Sequence, residues 1–447
     1  MLYAIAFASL GVQVQGLIGS QGILPAAEYL AAVKSSTGTS WFAAAPTLFW
    51  WWQGDGALTA ACWMGVALAA IGALGIFQRA VFAALFVLYL SLVTAGQVFM
   101  GYQWDFLLLE CGFLAIFLTP AWPRVWLCQW LLFRLMFESG CVKLLSHDPT
   151  WANLTALSLH YQTQPLPTPL AWYANQLPMA VQKFSAGSVF AIELVAPFLV
   201  FGPRRLKQLA AASFALLQLL ILLTGNYTCF NLLAMSLCLF LLDDRFWGSF
   251  QRGAAAASSL PSRLLSAALF VFVMTVSCTQ LVSMFSDPVP GPFKELATEL
   301  SPFGVVNSYG LFASMTTVRI EIEVQGSDDG ETWRTYEFRY KPGDVSRAPR
   351  WVAPHQPRLD WQMWFAALGN YRENPWFESF VERLLTSSPE VLRLLGKDPF
   401  EGRRAKYVRA LAYEYRFTTL GTGATDHAWW RRELKGTYFP ASSLKVP

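Results

Sequence analysis

Nine stretches within the first 285 residues are apolar over lengths that suit a membrane-crossing helix: 1–19, 57–77, 80–100, 104–119, 125–145, 185–202, 208–224, 226–242 and 264–285. A crossing needs about 20 predominantly apolar residues. The run 208–242 carries no charge and is too long for one crossing, so a break is expected at Gly225-Asn226. Pro197 and Gly202-Pro203 interrupt or end the sixth stretch. Loops 20–56 and 146–184 are long, polar and aromatic, with room for short interfacial helices. Trp41, Trp50, Trp51 and Trp52 suit a belt at headgroup level. After residue 286 the period changes. VRIEIEVQ (318–325) alternates, GSDDGET supplies a turn, and WRTYEFRY (333–340) alternates again, which is the pattern of a hairpin. Tyr407–Phe417 alternates too, with Leu411, Tyr413, Tyr415 and Phe417 on one face; Pro375–Thr386 and Pro389–Lys397 read as helices opened by proline. The expected architecture is a polytopic α-helical membrane bundle of about nine spans, residues 1–285. A β-rich, sandwich-like soluble domain with helical insertions follows, residues 286–447.

Charge supports that division. Residues 1–285 hold 12 of the 33 Lys/Arg and 9 of the 29 Asp/Glu, and the last 162 residues hold the other 21 and 20. With nine spans the loops alternate sides. Arg79, Arg124, Arg204, Arg205, Lys207, Arg245, Arg252 and Arg263 then share one side, against Lys34 and Lys183 on the other. The basic side is the expected cytoplasmic side, so loops 20–56 and 146–184 and the C-terminal domain face outward. No basic cluster points to nucleic acid. The seven cysteines lie in or beside apolar stretches without CxxC spacing, as buried small hydrophobes do. GxSxG and HExxH are absent, and no metal or cofactor site is expected. Met1 opens directly on LYAIAFASLGVQVQGLIG, a first transmembrane helix rather than a cleavable signal.

The candidate chemistry lies in charges that interrupt the apolar stretches: Asp105, Glu110, Arg134, Glu138, Lys143 and Glu193. Each costs roughly 2.5–3.5 kcal/mol at the bilayer centre and so is expected to face the bundle interior and pair. Arg134 and Glu138 share a helix face; Glu110, Glu138 and Glu193 are the candidate partners of Arg134. Two readings stand. The set is a structural network locking helices, or it lines a polar cavity opening outward with Lys143 at its mouth. Lys143 alone can also snorkel to the interface. Beside it, HDPTWANLTALSLHYQTQPLPTPLAWYANQLP (147–178) offers His147, Asp148 and His160 as loop candidates. His147 and Asp148 suit a base and its orienting group, and His160 suits packing. Asn153 and Asn226 each open an N-x-T glycosylation pattern, and only the first lies in a roomy outward loop. In the outer domain Arg358, Trp361, Trp364 and Phe365 form either a packing helix or a client-docking surface.

The blocks YQWDFLLLECGFLAIFL, LLFRLMFESGCVKLLSHDPTWANLTAL, ELVAPFLVFGPRRL, SPFGVVNSYGLFASMTT and VAPHQPRLDWQMWFAALG, in this order, closely resemble the lipase maturation factor family. The resemblance runs from about residue 3 to residue 417. It implies a polytopic membrane protein whose conserved domain lies on the lumenal side. Eukaryotic members reside in the endoplasmic reticulum and help dimeric lipases reach their active fold; a bacterial homologue would sit in the inner membrane facing the periplasm. The partners it implies are a lipase-like client and the bilayer. Members usually carry further residues ahead of the first helix. SGCVKLLSHDPTW is also similar to a stretch of the vitamin K-dependent γ-carboxylase superfamily, where a lysine at the position of Lys143 is catalytic. The resemblances thus imply two functions: a maturation factor acting by binding, or a membrane enzyme using Lys143 as a base on an apolar or protein substrate.

Overall fold

Every one of the nine apolar stretches contains a helix. The computed structural model describes residues 1–118, 124–243, 246, 260–286, 291–421 and 428–444; Arg245 and Arg252 lie outside them, as does the side chain of Arg124. The helices are α1 (Leu2–Gly11), α2 (Asp55–Ala73), α3 (Gln78–Ala95), α4 (Gln103–Phe117), α5 (Arg124–Leu145), α6 (Met179–Phe190), α7 (Arg204–Thr224), α8 (Phe230–Cys238) and α9 (Leu260–Ser283). Six of them, α2, α3, α5, α6 with its continuation to Phe201, α7 and α9, are long and apolar enough to cross a membrane by length and composition. The other three are shorter than expected, for local reasons. The first stretch breaks at Gln13, whose side-chain amide donates to the Ser9 and Gln356 carbonyls at 2.7 and 2.6 Å. α4 has 15 residues, which span ~22 Å at 1.5 Å per residue. α8 starts late because Asn226 and Thr228 are buried in tertiary contacts.

Pro197 acts as expected. Ahead of it α6 widens into a π turn, Ala191–Val195, and then tightens into a 3₁₀ stretch, Ala196–Phe201, because proline donates no hydrogen bond and crowds the carbonyl four residues back. The chain breaks at Gly225 as expected, but through an extended bridge to Pro167 rather than a tight turn. Both long loops carry short helices, Ala26–Thr37 and Trp41–Ala44 in one, and Pro149–Ala152, Ala156–Thr163 and Pro169–Asn175 in the other. The tryptophan loop is tied to the last turns of α3: Thr47 donates to the Ser91 carbonyl at 3.1 Å and Ser91 Oγ accepts from Leu48 N at 3.0 Å. The seven cysteines are free thiols, five of them buried.

The C-terminal region differs from a sandwich. Among the described residues it holds one antiparallel sheet of four strands, ordered β2-β1-β3-β4: β1 (Arg319–Ser327), β2 (Arg334–Thr335), β3 (Tyr407–Phe417) and β4 (Trp430–Ser442). The predicted hairpin is present, but its second arm pairs only through Thr335 and Arg334. Helices replace the second sheet. α10 (Arg358–Ala366) contacts β1 and α11 (Pro375–Leu385) contacts β3. α11 buries Trp376, Phe377, Phe380, Val381 and Leu384, the spacing of one helical face. These side chains share a core with Ile322, Val324, Val408 and Ala410 of the sheet. On the opposite face Tyr415, Phe417 and Trp430 pack with Ala171 and Trp172 of the long loop 146–184. Leu411 and Tyr413, expected to share that face, are only partly buried. The main hydrophobic core does not stop at residue 285: it runs continuously from Tyr3 to Phe439.

Candidate functional site

The charges of α4 and α5 are answered largely by the C-terminal chain. Residues 304–317, after a 3₁₀ turn at Ser301–Phe303, have neither helix nor strand structure and run alongside α5. Asn307 donates its backbone N–H to Glu110 at 2.9 Å and accepts from Arg134 at 2.7 Å. Tyr309 donates its N–H to Glu138 at 2.7 Å. The Leu311 carbonyl accepts from Lys143 at 3.0 Å, the Ala313 carbonyl accepts from Ser146 at 2.6 Å, and Met315 N–H donates to Asp148 at 2.8 Å. Every second residue from 307 to 315 thus meets a polar side chain progressively further along α5 and its end. One helical turn rises 5.4 Å and two residues of extended chain span ~6.6 Å, so strap and helix stay nearly in step. Arg134, Glu138 and Ser146 lie four and eight residues apart, on one side of the helix. Between them Val142 lies against Gly310, where an added Cβ would come within 3.0 Å. Gly304, with φ +60° and space for a Cβ only 2.7 Å from Leu109, lets the strap turn against α4. Asn307 sits beside Arg134, 11 residues before the end of α5, or ~16 Å along its axis.

Non-helical backbone at that depth is tolerated only where protein satisfies its polar groups. Glu110 of α4, Arg134, Glu138 and Lys143 of α5, and Ser146 and Asp148 just past its end do that, which explains why otherwise apolar helices carry charge here. Arg134 forms its ion pair with Glu110, and Tyr309 Oη donates to the same carboxylate at 2.8 Å. Of the three expected partners of Arg134, Glu110 is the direct one. Glu193 instead pairs with Lys143, its oxygens 2.8 and 3.1 Å from the ammonium. Lys143 also donates to the Ser139 carbonyl at 3.0 Å and lies 5.4 Å from the Trp151 ring centre. Its side chain is 4% exposed. It does not snorkel to the headgroups, and it lies beneath Leu311 rather than at an open mouth.

A second buried pair was not legible in the sequence. Arg358 grips Asp105 with two hydrogen bonds of 2.8 Å, and both side chains are fully buried. Tyr89 donates to Asp105 at 2.5 Å, and Arg358 donates to the Phe99 carbonyl and to Gln356 at 2.7 Å each. A third anchor joins the sheet to the 146–184 loop. Arg319 is buried, pairs with Glu321 at 2.6 Å and donates to the carbonyls of Gln162, Gln164 and Pro165.

The loop and docking candidates separate. His147 is exposed, while Asp148 caps the helix Pro149–Ala152 and holds Met315, so the two do not form a base pair of groups. Burial raises the Asp148 carboxyl, but hydrogen bonds from Thr150 and Met315 outweigh it and hold the group below its ordinary value. His160 packs as expected: it lies 3.2 Å from Tyr227 Oη and edge-on to Phe312. Burial, with Lys143 nearby, pushes its imidazole down to about 4. Asn226 is buried and donates to the Arg350 carbonyl at 2.8 Å, which leaves Asn153 as the exposed glycosylation candidate. Arg358 and Trp361 are buried against the bundle, and Trp364 donates to the Thr163 carbonyl at 2.8 Å. Only Phe365 of the docking set is exposed. The 358–366 helix is therefore a packing helix, because its aromatic face is used against Tyr102, Trp104 and Tyr227.

Residues 1–249 match the family described as lipase maturation factor transmembrane domain, and residues 305–440 match the lipase maturation factor C-terminal domain. The chain is 37% identical to lipase maturation factor 2 of Xenopus laevis, over 100% of this chain and 81% of the relative. It is 36% identical to lipase maturation factor 2 of Homo sapiens, over 100% and 82%, and 34% identical to lipase maturation factor 1 of Bos taurus, over 99% and 87%. No solved structure matches. Among the described residues six helices are able to cross a bilayer, five of them within the matched transmembrane family domain, which makes this an integral multi-pass membrane protein. With both domains matched in order along a single chain, it belongs to the lipase maturation factor family.

Proposed function

We propose that this chain is a maturation factor of the endoplasmic reticulum membrane that assists folding or assembly of secretory clients, lipases among them, by binding rather than by catalysis. In this reading α1, α4 and α8 complete nine crossings, and residues 286–447 form the lumenal domain. The observation that carries the reading is where the membrane charges are spent. Asp105, Glu110, Arg134, Glu138 and Lys143 each bond to a residue between 307 and 358, and Glu193 bonds to Lys143. Such a network holds the outer domain in one orientation on the membrane, as a folding platform requires. Lys143 fits the same role. Its Nζ is engaged by the Ser139 carbonyl, the Glu193 carboxylate and the Leu311 carbonyl, three partners from the protein itself, so its contacts are spent on holding helices and strap together.

The test couples topology to client capture. The full chain carrying a photocrosslinker on the exposed surface of its outer domain is expressed with a secreted dimeric lipase, and crosslinked client and secreted lipase activity are measured. Crosslinking to the immature lipase, with raised secreted activity, is the expected result. A C-terminal reporter found in the cytosol, or raised activity without any client contact, refutes the binding reading. Lys143→Arg keeps the cation and is expected to retain the effect; its loss in a folded, membrane-inserted Lys143→Arg protein favours proton-transfer chemistry.

A further inference from the structure

At the end of the bundle where α5 begins, the continuation of α6 ends and α7 starts, a cavity of about 430 Å³ is lined by Val125, Trp126, Gln129, Phe201 and Lys207. We infer that this crevice binds the headgroup of an anionic phospholipid, with Lys207 as its anion contact and the aromatic wall bordering its glycerol and acyl region.

Three observations carry this. First, the crevice has a built polar floor. Gln129 is 7% exposed; its amide donates to the Phe240 carbonyl at 2.7 Å, and its oxygen accepts from Lys207 at 3.1 Å. This holds the ammonium at the cavity with hydrogens left for an anion. Second, the wall is aromatic and faces outward. Trp126 lies 5.9 Å from Phe201 and 5.4 Å from Phe270, and Phe201 is 43% exposed on the bundle surface. A soluble anion gains little from such a wall; an amphipathic one fits both halves. Third, the surrounding charge favours an anion. Arg204 and Arg205 are exposed on the first turn of α7, and the Asp243 carboxylate beside them is engaged by Arg204 at 2.8 Å. This is the basic side of the bundle, where a lipid-rich, negatively charged leaflet attracts juxtamembrane Lys and Arg. The inference is independent of the outward site and of any client.

The experiment uses the full chain in nanodiscs of phosphatidylcholine with or without phosphatidylserine or phosphatidylinositol, reading lipid retention by native mass spectrometry and thermal stability. Wild type is expected to retain the anionic lipids over phosphatidylcholine and to be stabilised by them. Lys207→Ala is expected to lower retention about fivefold, the worth of one cation near a charged surface. Lys207→Glu lowers it further, and Lys207→Arg restores it. Gln129→Leu, which frees the ammonium, weakens retention without removing the charge. Soluble glycerophosphate is expected not to compete. Equal retention of phosphatidylcholine, unchanged anionic-lipid retention in Lys207→Glu, or full displacement by glycerophosphate each overturns the inference. Because stabilisation by anionic lipid is read against each variant's own stability in phosphatidylcholine, a folding defect does not mimic loss of the site.

Discussion

The Arg358–Asp105 pair gives the sharpest quantitative test of how the C-terminal domain is held. Arg358→Ala removes two charge-assisted bonds of 2.8 Å and the donors to Phe99 and Gln356, and leaves the fully buried Asp105 carboxylate with Tyr89 as its remaining side-chain donor. Breaking a buried ion pair by removing one partner costs about 3–5 kcal/mol, because the survivor remains charged in a dry site. A pair of unit charges at about 4 Å and an effective dielectric of 20 gives about 4 kcal/mol, the same order. At 1.4 kcal/mol per decade, opening of the interface rises between about a hundredfold and a few thousandfold. The assay is hydrogen exchange of the backbone amides of α4 and α10 in nanodiscs, with limited proteolysis as a second reading. The companion is the double variant Arg358→Met with Asp105→Leu. Replacing both charges by apolar groups is expected to recover most of the loss, since such swaps are often neutral. An Arg358→Ala protein that opens less than tenfold more often, or a double variant no better than the single, refutes the claim that this pair clamps the domain.

Other outcomes follow from the same contacts. Glu138→Gln keeps an acceptor for Tyr309 N–H, whereas Glu138→Leu strands that amide at about 1–3 kcal/mol; exchange at Tyr309 is expected to rise only in the second. Gly304→Ala places a Cβ at a positive φ and 2.7 Å from Leu109 Cδ1, and is expected to lower stability by about 1–3 kcal/mol in a thermal melt. His160 and His355 are both pushed down to about 4, first by burial and then by neighbouring cations, Lys143 for the one and Arg358 for the other. Their folded values lie below the unfolded value of about 6.5. Their contribution is therefore complete above pH 6.5 and is lost as pH falls toward 4, by about 1.4 kcal/mol each at pH 5.5. Unfolding midpoints from pH 7 to 5 are expected to fall, and to fall less steeply in His355→Asn or His160→Gln.

Much of the bundle was legible because its determinant is local: each apolar stretch states its own burial, and Pro197 states where the sixth changes geometry. β3 was legible for the same reason, down to its end residues. β4 was not, since WRRELKGTYFPAS places charges on both faces of an exposed edge strand that has no alternation to read. The intramembrane charges were visible at once, but their partners were only partly so. Arg134 and its carboxylates lie on neighbouring helices. Arg358 lies 253 residues from Asp105, and nothing in RLDWQMWF distinguishes a guanidinium bound for the membrane from one bound for a client. The strap had a weaker signal. SPFGVVNSYGLFASMTT is uncharged and mixes Ser, Thr and Gly with apolar residues, a composition that suits backbone held by other residues' side chains. Composition cannot say which side chains those are.

The stepwise match between residues 307–315 and α5 limits how this chain can change length. Deleting or adding one residue between Asn307 and Met315 moves each later amide or carbonyl off its donor or acceptor, and donors then face donors. A shift of one position within Arg134–Ser146 does the same from the helix side. Indels are thus expected to accumulate in loops 20–56 and 146–184 and in the β3–β4 connection, while these two segments drift in side chains and keep their spacing.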